Sequence, residues 1–299
     1  MKKNILITGS SGLIGTAILK CLTKEGYKVS LLKRSKVLGA NEFFWDPSRG
    51  EIDKSALQDI DVVVHLAGEP IAQRWTSAAK NRIINSRVNG TRLLAEAIAR
   101  SQTQPSLICA SGTNYYGDQP EGVVDESSPP GLGFLAEVCR QWESAAKPAT
   151  EAGARVVFMR TGIVLSGQGG ALAKMLPFFR AGLGGRIGDG QQLMSWITLS
   201  DLVLAYIFVL EDTAVSGALN AVAPDPVTNT SFTQALGNAL GRPTIFPIPR
   251  ILLKVLYGEM GKETALADLG VLPARLKDLG FEWDQSDLRA ALRATIRNK

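Results

Sequence analysis

A chain of 299 residues with 45% hydrophobic and 20% charged residues can bury a sizeable core and has the balance of a globular protein. Its net charge of +5 is too small to argue for a nucleic-acid partner, and no apolar run is long enough to span a membrane. The three cysteines, Cys21, Cys109 and Cys139, form no metal or redox motif, which implies reduced thiols, a cytoplasmic setting and no metal site. The single His65 sits in an apolar run and argues against a Ser-His-Asp triad and a zinc site.

In chain order, Asn4 to Thr8 reads as a buried strand, followed by G-S-S-G-L-I-G and a helical run from Leu13 to Lys24. Lys2 and Lys3 precede only this short strand, which is no signal peptide. Further strands are expected at 28–33, 61–66, 106–110 and 154–160. Helices are expected at 76–100 and 134–152, with Pro148 kinking or ending the second. The alternation predicts an α/β fold, a Rossmann-type doubly wound parallel sheet with helices on both faces. Ligands in such sheets bind beyond the carboxyl ends of the strands, where the strand order reverses. Thr8, 66–68, 110–116 and 160–164 should therefore converge on one cleft. The Pro- and Gly-rich run 117–133 reads as an ordered loop over that cleft. Past about 165 the pattern loosens, with helices near 171–181, 199–212, 231–241, 249–257 and 285–297. The chain thus divides into a dinucleotide-binding domain at 1–165 and a smaller substrate-side lobe at 166–299, interleaved with the last strands.

Each glycine of the first loop has a physical task. Gly9 allows the tight turn, Gly12 lets backbone approach a pyrophosphate, and Gly15 lets helix and strand pack closely. Ser10, Ser11, Leu13 and Ile14 complete the turn, and the helix start offers free N–H groups to phosphate oxygens. At the end of the second strand, an NAD site places a carboxylate for the ribose hydroxyls. Here Lys33, Arg34 and Ser35 stand instead, and two cations and a hydroxyl attract a 2′-phosphate. The expected cofactor is NADP(H).

Several stretches carry a wider resemblance: T-G-S-S-G-L-I-G (8–15), H-L-A-G-E-P-I-A (65–72), S-R-V-N-G-T (86–91), Y-Y-G-D (115–118), R-T-G-I-V-L (160–165) and S-W-I-T-L-S-D-L (195–202). They resemble the extended short-chain dehydrogenase/reductase superfamily. Within it they are most similar to the atypical epimerase family proteins, the cell-division-inhibitor-like group with a small C-terminal domain of unknown function. P-I-P (247–249), V-L-P-A-R-L (271–276) and L-G-F-E-W (279–283) fit that appended domain, at about 247–297. The resemblance implies that Leu66, Ala67 and Gly68 run past the adenosine and pyrophosphate. Glu69 then positions substrate or cofactor, and the stretch from Arg160 to Val164 approaches the nicotinamide end. Arg87 stands where ordinary members often have Asn, and two roles are open to it: an ion pair with a cofactor phosphate, or support of the helix at 76–100. The superfamily's habit of pairing through helices beside the sheet implies a homodimer.

The departures fall at the chemistry. Ordinary members use a Ser or Thr, a Tyr, and a Lys four residues after the Tyr. The five tyrosines here are followed at that distance by Leu31, Gln119, Pro120, Leu210 and Gly261. Alignment puts Gly112 at the usual Ser position, Phe134 or Leu135 at the Tyr, and Val138 or Cys139 at the Lys. Tyr116, Ser111 and Thr113 are the candidate substitutes, with the alternative that Tyr115 and Tyr116 merely line the pocket wall. Asp201 is expected to cap a helix rather than react. Two functional readings follow. One is an NADP(H)-dependent oxidoreductase acting on an unknown small carbonyl, alcohol or nucleotide-sugar substrate. The other is a catalytically silent NADP(H)-binding sensor or regulator.

Overall fold

A computed structural model describes residues 2–35, 39–120 and 122–297. The chain opens with β1 (Asn4–Thr8), α1 (Leu13–Lys24), β2 (Lys28–Lys33), β3 (Glu42–Asp46) and β4 (Glu51–Ile52). It continues through β5 (Val62–His65), α2 (Ser77–Arg100), β6 (Ser106–Gly112), a 3-10 turn at Thr113–Tyr116 and β7 (Val123–Val124). Then come α3 (Phe134–Ser144), α4 (Lys147–Glu151), β8 (Val156–Thr161), β9 (Ile163–Leu165) and α5 (Gly170–Arg180). The remainder holds β10 (Leu193–Met194), β11 (Trp196–Thr198), α6 (Leu199–Glu211), β12 (Gly217–Ala221), β13 (Val227–Thr228) and α7 (Asn229–Leu240). It closes with α8 (Arg250–Glu263), β14 (Gly270–Val271), α9 (Ala274–Asp278) and α10 (Leu288–Arg297).

Eight strands form the main sheet in the order β12-β8-β6-β5-β1-β2-β3-β4, parallel throughout except where β4 turns back on β3. From β1 the chain builds outward through β2 and β3. It then returns to β5 and builds the other way. The order reverses between β1 and β5, which leaves a crevice above their carboxyl ends. Thr8 and His65 are partners across that gap.

The period of two along buried strands sorts the core into two layers. Ile5, Ile7, Val62, Val64 and Ile108 face α1 and α6 through Ile18, Leu22, Leu202 and Tyr206. Leu6, Val63, Leu107 and Cys109 face the opposite layer through Leu94, Ile98, Trp142 and Ala149. A separate cluster of Leu176, Phe179, Phe232, Leu236 and Leu292 joins α5, α7 and α10 into the smaller lobe. No helix among the described residues is long and apolar enough to cross a membrane.

The structure adds detail to the sequence reading at three places. The helix expected over 134–152 is two helices, because Pro148 lies in the first turn of α4, where its missing N–H costs nothing. The run E-F-F-W-D makes β3, a parallel neighbour of β2 that the sequence reading left out. β12, from the second half of the chain, pairs with β8 and extends the main sheet.

At the start of α6, Thr198 Oγ1 accepts from the Asp201 N–H at 3.0 Å and donates to its Oδ2 at 2.7 Å. Asp201 Oδ1 accepts from the Asp284 N–H at 2.9 Å, so a fully buried carboxylate ties the C-terminal segment to the helix cap. Asp201→Ala is expected to lower the unfolding free energy by about 2 kcal/mol or more in chemical denaturation. A loss under about 0.5 kcal/mol would remove this carboxylate from the supports of the fold.

Candidate nucleotide-binding cleft

The crevice between β1 and β5 is shaped by the glycines. Gly9 has φ +70°, and a Cβ on it would lie 2.8 Å from Ala67 N. A Cβ on Gly15 would fall 2.2 Å from Gly9 O, so α1 packs on the preceding turn at a distance only glycine permits. Gly12 differs: the one neighbour a Cβ would meet is Gly9 O, at 3.4 Å, so its open side faces the cleft. The Gly12 N–H closes the turn onto Gly9 O at 3.0 Å, and α1 begins at Leu13 with no side-chain cap and no acid in its first turn. Free N–H groups and a positive helix end are therefore presented together, as a phosphate requires. Ser10, Ser11 and Ile14 lie in this turn, and a groove of about 700 Å³ lined by Ser11, Gly12, Leu13, Thr16 and Gln168 opens beside it. A groove lined by Asn4, Lys28 and Gln58 lies at the amino ends of β1 and β2, away from the crevice.

Thr8 fixes the neighbouring strand end. Its hydroxyl oxygen accepts from the N–H groups of Leu66 at 3.1 Å and Ala67 at 3.2 Å. It must then donate its own proton to His65 Nδ1, at 2.7 Å, which puts the ring proton on Nε2. Burial, helped by the nearby Arg87 charge, pulls His65 down to about 3, so it stays neutral. It is a structural strand residue, in keeping with its place in the apolar run.

At the end of β2 the three expected adenosine-side residues fare differently. Lys33 is ion-paired with Glu42 of β3, which also accepts from the Gly39 N–H at 2.9 Å. The Lys33 hydrogen bond, with that N–H, holds the Glu42 carboxyl below the usual carboxylate range. Lys33 is thus compensated by a carboxylate that the sequence reading did not weigh. Arg34 is exposed at the strand end, with Ser35 beside it.

The nicotinamide end departs furthest from expectation. Ser111 donates to Glu143 Oε1 at 2.7 Å. Arg160 grips the same carboxylate with Nε at 2.9 Å and Nη2 at 2.8 Å, and donates from Nη1 to Tyr116 Oη at 2.9 Å. Tyr116 gives its proton to Asn220 Oδ1 at 2.8 Å and is wholly buried. Burial also raises its pKa. The Tyr115 ring lies on the Arg160 guanidinium, 3.4 Å from Cζ. Tyr116 and Ser111, two of the three candidate acids, have therefore committed their protons inside the protein, and the third, Thr113, is buried. This corrects their placement in the cleft. The cause is the ion pair, since a desolvated charge recruits every nearby hydroxyl.

On α3 the positions aligned with the missing Tyr and Lys are filled by Phe134 or Leu135 and by Val138 or Cys139, of which Leu135, Val138 and Cys139 are buried. Burial, then the Glu143 charge, pushes the Cys139 thiol up to about 11, so it is no thiolate. The amino end of α3 is capped from far along the chain: Glu263 accepts from the Phe134 N–H at 2.9 Å and the Leu135 N–H at 2.8 Å. Asn114 Nδ2 donates to the Glu263 carbonyl at 3.2 Å. Lys80 of α2 pairs with Glu259 and lies 4.8 Å above the Phe134 ring, which meets Trp75 edge-on. Nothing in the local sequence signalled that α8 would roof this end.

Other expected residues sit along the rim. Glu69 takes its N–H to Ser86 Oγ at 3.0 Å and turns its carboxylate to Gln73 and Arg82. Gly68 packs on the Arg87 guanidinium: a Cβ there would be 3.1 Å from Cζ. Arg87 donates from Nη1 to the carbonyls of Glu69 at 2.9 Å and Ile83 at 3.2 Å, so it does brace the helix against the strand end. Val164 pairs with Ile197 in the short β9–β11 ladder.

Residues 5–221 match the NAD dependent epimerase/dehydratase family, and residues 248–295 match a domain of unknown function, DUF1731. An epimerase family protein of Mycobacterium bovis is 42% identical over 96% of this chain and 96% of its own length. The crystal structure of human epimerase family protein SDR39U1 with NADPH superposes at a TM-score of 0.91 with 34% identity, covering 99% of this chain and 100% of that one. A nucleoside-diphosphate sugar epimerase from Corynebacterium glutamicum gives 0.82 at 37% identity, over 98% of this chain and 57% of that one. The chain belongs to the NAD dependent epimerase/dehydratase family and carries that C-terminal domain of unknown function.

Proposed function

We propose that this protein is an NADP(H)-dependent oxidoreductase of the epimerase family, acting on a small carbonyl or alcohol with a non-standard proton donor. The observation that carries the reading is the crevice itself. A glycine turn and an uncapped helix start receive a diphosphate. Beside them the end of β2 presents Arg34 as an exposed cation, while the nearby acid Glu42 is already neutralised by Lys33. Such a strand end attracts a 2′-phosphate and gives ribose hydroxyls no free carboxylate. The relative crystallised with NADPH has the same overall fold at 34% identity.

When bound, the cofactor supplies or accepts a hydride at its nicotinamide. The chain's residues then have separable tasks. The backbone from Gly9 to Gly15 holds the diphosphate, and Leu66 to Gly68 run alongside it. Leu135 and Cys139 make a wall of low polarity at the end of β6 and exclude water there. Tyr116, Ser111, Glu143 and Arg160 do not exchange protons with substrate but stiffen the floor of the site. The same sealed network favours a second reading, a nucleotide-binding protein without turnover. Steady NADPH oxidation with any member of a carbonyl panel, lost in Gly12→Trp, supports the enzyme. Tight NADPH binding with no turnover across the panel supports the silent protein.

Two measurements bear on the cofactor. Gly12→Trp is expected to fold, because its side chain enters open space, and to lose NADPH binding in titration calorimetry. Retained affinity would move the phosphate site elsewhere. Arg34→Asp is expected to reduce the preference for NADPH over NADH by about tenfold or more, the scale of a charge-assisted phosphate contact. Lys33→Ala is expected to change that ratio less, because its charge is shared with Glu42. An unchanged ratio in Arg34→Asp would defeat the 2′-phosphate assignment.

A further inference from the structure

Among the described residues, Arg87 is a buried cation with no ion-paired carboxylate. It is 7% exposed, and its guanidinium lies between the Gly68 backbone on one side and the Trp142 ring, 4.9 Å from Cζ, on the other. Only Nη1 is hydrogen-bonded among the described residues, and both of its acceptors are neutral carbonyls. Nε is sealed from solvent and has no partner. Glu69, the nearby carboxylate whose charge favours it, turns instead to Arg82 and Gln73. Cys139, on the facing helix, is a protonated thiol.

Two other arginines show what is missing. Arg160 uses its Nε and Nη2 edge to hold both oxygens of Glu143. Arg155, which is only half-buried, gives Nη1 to three carbonyls, those of Val209, Asp212 and Val215, and Nε to Ser106, and leaves Nη2 alone without a partner among the described residues. On Arg87 the Nε and Nη2 edge holds no oxygen. A desolvated guanidinium left in this state is costly, and a planar fork of donors fits an oxyanion better than any neutral ligand. Gly68, just past the carboxyl end of β5, lies against the guanidinium, where a Cβ would be 3.3 Å from both Nη1 and Nη2, and its lack of a side chain lets the guanidinium come up under the backbone.

We infer that Arg87 is the cationic ligand of the cofactor's diphosphate, supplying from α2 a positive charge that α3 lacks. The inference rests on the nucleotide-binding reading and adds a residue to it. The two roles left open for Arg87 are then one device. Nη1 fixes the strand end to the helix, Nε is sealed, and the charge is neutralised by bound phosphates reached through Nη2. Arg34 reads the 2′-phosphate, whereas Arg87 reads a group common to NADPH and NADH.

The test is calorimetric titration of wild type, Arg87→Met and Arg87→Lys with NADPH, NADH and adenosine 2′-monophosphate, together with melting of each cofactor-free protein. Arg87→Met is expected to weaken NADPH and NADH by the same factor, about tenfold or more, and to leave adenosine 2′-monophosphate unchanged. Arg87→Lys, which keeps the charge and loses the fork, should recover part of the loss. Undiminished affinity for both dinucleotides in both variants overturns the inference alone, as does a lowered cofactor-free melting temperature with unchanged affinity, the mark of a purely structural arginine. An equal loss for adenosine 2′-monophosphate also overturns it, by assigning the effect to the cleft as a whole. Wild type that binds neither dinucleotide overturns the cofactor reading first and this inference with it.

Discussion

The Arg160–Glu143 ion pair is the interaction on which the floor of the cleft depends. Both side chains are nearly removed from solvent. Burial alone would disfavour the Arg160 charge, but the hydrogen bonds and charge of Glu143 outweigh it and hold the guanidinium protonated. Breaking a buried pair of this kind costs about 3–5 kcal/mol because one charge is stranded. The pair joins β8 to α3, and its remaining donors and acceptors draw in Ser111 from β6, Tyr116 from the 3-10 turn and Asn220 from β12. Asn220 in turn donates to the carbonyl of Leu272. One charge pair thus fastens three strands, a helix and the C-terminal region.

That arrangement explains the altered chemistry better than the absence of any single residue. A protein that lost only its Tyr and Lys would retain an open polar cleft end. Here the space is reorganised. Hydroxyls that would face a ligand are turned inward to satisfy the ion pair, and the helix positions that would carry acid and cation are Phe134 or Leu135 and Val138 or Cys139. The polar capacity of the site shifts toward the nucleotide: the open start of α1, Arg34, and the uncompensated edge of Arg87.

The C-terminal region completes the molecule rather than hanging from it. Glu263 caps α3, β14 pairs with β7, and Asp268 accepts from the Leu193 N–H at 2.8 Å while its own N–H reaches Asp118 Oδ1 at 2.7 Å. Ser195 is enclosed in the same seam through Leu269 and Val271. The loop expected to cover the cleft is held in place by these long-range contacts, with Val123 and Val124 contributing a strand. The human relative crystallised with NADPH is covered over its whole length, so the appended region is part of the shared fold.

Local physics settled the nucleotide half from the sequence alone. Strand and helix periods, a glycine spacing that only a tight crossing requires, and a strand ending in cations are all signals carried within a few residues of one another. They sufficed for the parallel sheet and the crevice, while the family came from the resemblance of longer stretches along the chain. The sequence could not decide the partners of charged groups. Lys33 finds Glu42 only because β3 lies beside β2, Tyr116 meets Asn220 across 104 positions, and Glu263 reaches α3 from 128 positions away. Such pairings are fixed by how strands and helices pack, and packing also sets burial, which decides whether a hydroxyl or thiol serves the ligand or the protein. Motif and pattern therefore determined the glycine turn and the crevice, while the tertiary structure alone decided which side chains around it remain free of partners within the protein.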